Sequence, residues 1–123
     1  MAIQGIQQPE ILQIDEEIRL RRFDGIYDFA FDWYQDVETV QLVDGVKIPY
    51  SQQKLKCMYE YLDKHGELYF IEVMKDGTYI SVGDVTFWKD DMPIVIGNKS
   101  YRGKGIAKNL YAFNIFFHRL SYP

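Results

Sequence analysis

The sequence predicts a single α+β domain, strands in antiparallel order with helices packed on them, and three observations carry that expectation. Ile18 and Leu20 alternate with Arg19 and Arg21, the period of two that a strand with one wet face shows. Asp76-Gly77 lies between two further runs of strand character, and that dipeptide is among the strongest short hairpin signals. Between these regions, apolar residues recur at helical spacing.

Taken in order, residues 1–10 are polar, contain Gly5 and Pro9, and read as a loose leader. Residues 11–23 hold the first strand. Residues 24–66 hold two helices. Asp24 is a good N-cap for the segment 25–34, where Ile26, Phe29, Ala30 and Trp33 form one stripe. Residues 36–43 are either a short helix or a loop, ended by Asp44-Gly45. Ser51 is the expected N-cap of the next helix, with Leu55, Met58, Tyr59 and Leu62 as its buried face and Gly66 at its end. Cys57 reads as a small core residue of that helix. Residues 67–96 form an antiparallel meander with strands at 68–74, 79–88 and 92–96. A glycine-rich loop, 97–105, leads into a helix and apolar tail, 106–123.

At 123 residues the chain is one domain, long enough for a core. Its 47% apolar and 26% charged residues are globular composition. The 16% aromatic share implies a well-filled interior or an aromatic-lined cleft. A net charge of −4 argues against a nucleic-acid footprint. The single cysteine excludes an internal disulfide and fits a reducing compartment. No apolar run reaches the roughly 20 residues of a membrane span, and no signal pattern opens the chain, so a cytoplasmic address is expected. No clustered ligand pattern suggests a metal.

The chemistry-bearing stretch is 92–110, MPIVIGNKSYRGKGIAKNL. An apolar strand, a loop with Gly97, Gly103 and Gly105, and a helix start present unpaired main-chain N–H groups toward one place, with the helix dipole behind them. That arrangement attracts an anion, most often a phosphate. Glycines let the phosphate approach the main chain, and Arg102, Lys104 and Lys108 add positive charge. A Walker A loop fails, because five residues separate Gly97 from Gly103 and Ile106 follows Gly105. A dinucleotide fingerprint fails at Lys108, where a third glycine belongs. A plain strand-to-helix turn, with glycines for tight packing, is the alternative reading.

What fits is Arg-x-x-Gly-x-Ala, met by Arg102, Gly105 and Ala107. It resembles the acetyl-coenzyme A loop of the GNAT N-acetyltransferase family, and the order of elements resembles the first two-thirds of a GNAT domain. Leu20-Arg21-Arg22-Phe23 and Trp33-Tyr34-Gln35-Asp36 also resemble the branch with ribosomal-protein and aminoglycoside acetyltransferases. The resemblance implies a mixed, mostly antiparallel sheet flanked by helices, and transfer of an acetyl group from acetyl-coenzyme A to a primary amine. The main chain of Arg102, Gly103, Lys104, Gly105, Ile106 and Ala107 would hold the diphosphate. The edge of Ile94, Val95 and Ile96 would pair with the pantetheine arm. For the general base, Asp91 is the first candidate and Asp84 the second, against the commoner role of a solvated carboxylate. His65 and His118 read as helix-end and tail residues. A non-catalytic module that keeps the fold or the coenzyme site is the alternative function.

The chain departs from the family at its end. Residues 111–122 are apolar nearly all round, and the later strands of a GNAT domain are missing, so the chain is expected to lack the C-terminal third. Strand 92–96 is then an open apolar edge. A homodimer or higher assembly covering that edge or the tail is the expected partner, beside an amine acceptor.

Overall fold

Antiparallel pairing of sequence neighbours builds the whole sheet. In the computed structural model, which describes residues 8–88 and 91–121 (114–121 as main chain only), five strands lie in the order β1-β2-β3-β4-β5. They are β1 (Ile11–Gln13), β2 (Ile18–Arg22), β3 (Glu67–Lys75), β4 (Thr78–Phe87) and β5 (Ile94–Ile96). Three α-helices accompany them: α1 (Val37–Asp44), α2 (Gln52–His65) and α3 (Ile106–Ser121). Short 3-10 segments span Asp28–Ala30, Asp32–Gln35 and Lys99–Tyr101.

The sheet has a core on each face, so β3 is buried on both sides over residues 67–73. Tyr69, Ile71 and Val73 join Ile18, Val85, Phe87 and the first turns of α3, Ile106 and Leu110. Leu68 and Phe70 point the other way, into Leu55 and Tyr59 of α2, Val40 of α1 and the Trp33–Tyr34 turn. The β3–β4 hairpin closes as expected, with Asp76 and Gly77 both at positive φ (51° and 81°), the conformation of a primed two-residue turn. In β4 the register slips, since Ile71 pairs with Gly83 but Glu72 with Ser81. Val82 is thus an extra residue in a bulge. Its carbonyl accepts the Asn98 N–H at 2.9 Å, which anchors the start of the glycine loop.

Several expectations need correction. Residues 11–23 form two strands, not one. Asp15 Oδ1 accepts from both Glu17 N and Ile18 N at 2.8 Å and turns the chain between them. The leader expectation covers residues 1–10, of which 1–7 lie outside the described residues. Gln8 is buried and donates Nε2 to Leu68 O at 3.0 Å. Segment 25–34 is not an α-helix but two 3-10 turns. Gly25 is left-handed (φ 83°), Asp24 bonds Ile26 N in a local turn, and Ile26 stays exposed while Ala30, Trp33 and Tyr34 go inside. Segment 36–43 resolves as helix α1, capped by Asp36 on Thr39 N and ended by left-handed Gly45. Cys57 is exposed, because it sits two residues from both Leu55 and Tyr59, the wrong spacing to share their face. The sheet is antiparallel throughout the described strands rather than mixed. The burial expected for the tail, and His118, lie outside the described side chains.

Candidate functional site

The glycine loop is held at its start and open at its end. Asn98 Oδ1 accepts from Ser100 N, and Tyr101 N and Arg102 N complete the 3-10 turn on Asn98 O and Lys99 O. Gly103 and Gly105 then adopt left-handed φ of 73° and 80°, and nothing lies within 4 Å of where a Cβ would stand on either. Their conformation, not crowding, is what calls for glycine. The first helical bond of α3 is Asn109 N to Gly105 O at 3.0 Å. The main-chain N–H groups of Gly103 through Lys108 donate to no acceptor among the described residues.

Beside this loop, β5 is an edge strand, and along its free edge runs a cleft of about 410 Å³. Pro93, Ile94, Val95 and Ile96 form one wall, and Thr39, Leu42 and Val43 of α1 the other. Arg102 lines the end that adjoins the loop. The Thr86 N–H donates to Pro93 O, so by antiparallel alternation Val95 turns its main-chain groups to Asp84 on β4, while Ile94 and Ile96 turn theirs outward. Arg102 Nε donating to Ile96 O at 2.8 Å agrees with that register. Of the three edge residues expected to offer main-chain groups, Val95 therefore offers none outward.

Arg102 is largely engaged by the protein, with only its buried Nη1 lacking a hydrogen-bond partner among the described residues. Besides Ile96 O it donates to Thr39 Oγ1, and its guanidinium lies 3.5 Å from Glu38. Lys99 pairs with Asp36 at 2.8 Å, and that bond, first among the causes, holds the Asp36 carboxyl at about 2. The same contact raises Lys99. Two cations of the loop thus latch it to the acidic start of α1. Lys104 and Lys108 are exposed and make no ion pair among the described residues, so they are the cations left to meet an anion.

Of the expected site residues, Ile94, Val95, Ile96 and Arg102 come together in the cleft. Gly103, Lys104, Gly105 and Ala107 follow on the adjoining loop, and Ile106 is buried in the core, anchoring α3. Neither expected base lines the cleft. Asp91 is exposed, and its Oδ1 accepts the N–H of Met92 at 2.8 Å, a turn carboxylate. Asp84 is buried behind Val95. Its Oδ2 accepts from Tyr34 OH at 2.7 Å and Tyr59 OH at 2.9 Å, and burial pushes its carboxyl up to about 6 against the effect of those bonds. Thr39, Leu42 and Val43 escaped the reading of the sequence. Asp36 and Thr39 carry a capping signal, but nothing local ties Thr39 to an arginine 63 positions away. Among the described residues no cluster of three or more His, Cys, Asp or Glu is placed to hold a metal ion, and no helix is long and apolar enough to cross a membrane.

The fold has a counterpart. A crystal structure of a domain from Methanocaldococcus jannaschii DSM 2661 superimposes with a TM-score of 0.70 over 85% of this chain and 71% of that one. The two share 15% sequence identity, so the likeness is one of architecture alone. No family model matches the sequence, and no curated protein does.

Proposed function

We propose that this chain binds acetyl-coenzyme A and transfers its acetyl group to a primary amine, as the resemblance to the GNAT family implies. One observation carries the reading: an edge-strand cleft ends at Arg102, where a run of main-chain N–H groups without protein acceptors begins. Residues 103–108 and the free lysines 104 and 108 would hold the diphosphate, and the outward groups of Ile94 with the N–H of Ile96 would meet the amide-bearing arm, the Ile96 carbonyl being taken by Arg102. The open space over Gly103 and Gly105 suits a close phosphate. The thioester supplies an activated acyl group: the amine nitrogen bonds to the carbonyl carbon, the carbon–sulfur bond breaks, and the proton lost by nitrogen ends on the thiol. With neither Asp84 nor Asp91 in the cleft, the acceptor is taken up as the neutral amine rather than deprotonated by a lining carboxylate. The reading includes self-association through the free β5 edge and a cytoplasmic setting.

A second reading, a coenzyme-binding module without turnover, is favoured by the same lining, which among the described residues holds no carboxylate or imidazole. Two measurements separate the readings. At a hundredfold excess over Kd, acetyl-coenzyme A stabilises a binding protein by about 2.7 kcal/mol, a melting-temperature rise of several degrees. Gly105→Asp removes that rise through its left-handed φ and like charge. Lys104→Glu, at an exposed position that leaves the fold alone, shrinks it. Thiol release with a panel of amines then decides for the enzyme, and a thermal shift without release decides for the module. No shift at all rejects both.

A further inference from the structure

The cleft is polar at one end only. Arg102 and Thr39 stand where it meets the loop, and from there its walls are Leu42, Val43, Pro93 and Ile94. Among the described residues Arg102 is its one charged lining residue, and the Thr39 hydroxyl is already engaged by Asp36 and Arg102. Leu42, on the rim, is 75% exposed, more than any other large apolar side chain among the described residues. An apolar side chain held in water beside a cleft loses that exposure when an apolar ligand group lies against it.

The two ends also fix a direction. A ligand with its anionic part on the amides of 103–108 enters past Arg102 and extends along β5 from Ile96 toward Pro93. Its far end then arrives between Leu42, Val43 and Pro93, where no side chain among the described lining residues offers a hydrogen bond or a charge. A two-carbon acyl group covers little of that surface, and a longer alkyl chain covers more.

We infer that the Leu42–Val43–Pro93–Ile94 end of the cleft is an acyl-chain site, selecting thioesters with alkyl chains of about four to six carbons over acetyl. This rests on the coenzyme reading above and narrows its donor. Burial of each added methylene tightens binding by about two- to fourfold until the chain outgrows the wall.

Isothermal titration of the full chain with coenzyme A, acetyl-, butyryl- and hexanoyl-coenzyme A tests the inference without requiring turnover. Affinity is expected to climb from acetyl to hexanoyl by at least tenfold. In Leu42→Ser, at an exposed position, the ratio of hexanoyl-coenzyme A to coenzyme A affinity is expected to drop at least threefold. Equal affinity for all four overturns the acyl-chain site and leaves the coenzyme reading standing. A rising series that Leu42→Ser and Val43→Ser both leave unchanged places the chain elsewhere and overturns it as well. Failure of all four to bind removes the coenzyme reading itself, and the acyl-chain site with it.

Discussion

Asp84 loads both of its phenolic hydrogen bonds onto one oxygen, leaving Oδ1 without a protein donor among the described residues. Burial disfavours its anion more than two bonds restore it, hence the rise to about 6. The group therefore stabilises the fold most when protonated. That contribution is full below the ordinary carboxyl value and fades as the pH climbs through about 6, by up to about 3 kcal/mol. Asp36 and Asp44, both lowered, act in the opposite sense at more acid pH, so the window to measure is about pH 4 to 6.5. Urea midpoints should fall across that window in the natural sequence and fall clearly less in Asp84→Asn, where the raised carboxyl of buried Glu67 still contributes in the same direction. A flat natural profile would mean that Asp84 titrates like a surface carboxyl. Gly97 is the other position where one atom decides. A Cβ there would run into the indole ring of Trp33. Gly97→Ala should cost about 1–3 kcal/mol in equilibrium unfolding, since Trp33 is enclosed by the core and must give way.

Helix α1 spans only Val37–Asp44, too short to be stable alone. It stays in place through Val40 in the core and through its acidic first turn, where Asp36 meets Lys99, and Glu38 and Thr39 meet Arg102. Because α1 is one wall of the cleft, this latch sets the width of the site. Arg102→Gln should raise amide hydrogen exchange in α1 well above that in α2, with a stability loss of about 1–2 kcal/mol. Uniform exchange across both helices would show that α1 is held by packing instead. The opposite wall has its own weak point. A Cβ on Gly83 would collide with the Val95 carbonyl, so Gly83→Ala should loosen β5 and weaken the proposed coenzyme binding in the same titration. Elements governed by local rules were legible in the sequence: the Asp76-Gly77 hairpin, the Ser51 cap of α2, and the strand–loop–helix order around Gly103. Where long-range contacts decide, local pattern failed. The stripe through Ile26 suggested an α-helix, yet Tyr34 is pinned by Asp84 fifty positions on and by Tyr50 N, and the segment winds as 3-10 turns to reach them. The cleft was half visible for the same reason, since β5 and Arg102 belong to one stretch while Thr39, Leu42 and Val43 arrive from another.

At the scale of the whole molecule, a sheet whose spatial order equals its sequence order pairs each strand with the next, across α1 and α2 in the case of β2 and β3, and among the described strands it ends in two edges. The β1 edge belongs to a three-residue strand whose neighbours Glu10 and Arg22 extend its pairing. On the β5 edge, Ile96 O is occupied by Arg102, but the outward groups of Ile94 and the Ile96 N–H have no partner among the described residues, beside apolar Leu42 and Val43. Such an edge pairs with another strand, and a second copy related by a twofold axis would join β5 to β5 in one continuous sheet. The pantetheine arm of the proposed coenzyme would need the same groups, so assembly and coenzyme binding would compete for them. Sedimentation velocity at about 100 μM should therefore show a dimer without coenzyme, shifting toward monomer as coenzyme A is added. Ile94→Lys, which sets a charge on that edge, should give monomer throughout. A natural chain that stays monomeric at every concentration would mean that the occupied Ile96 carbonyl and the short strand already suffice to blunt the edge.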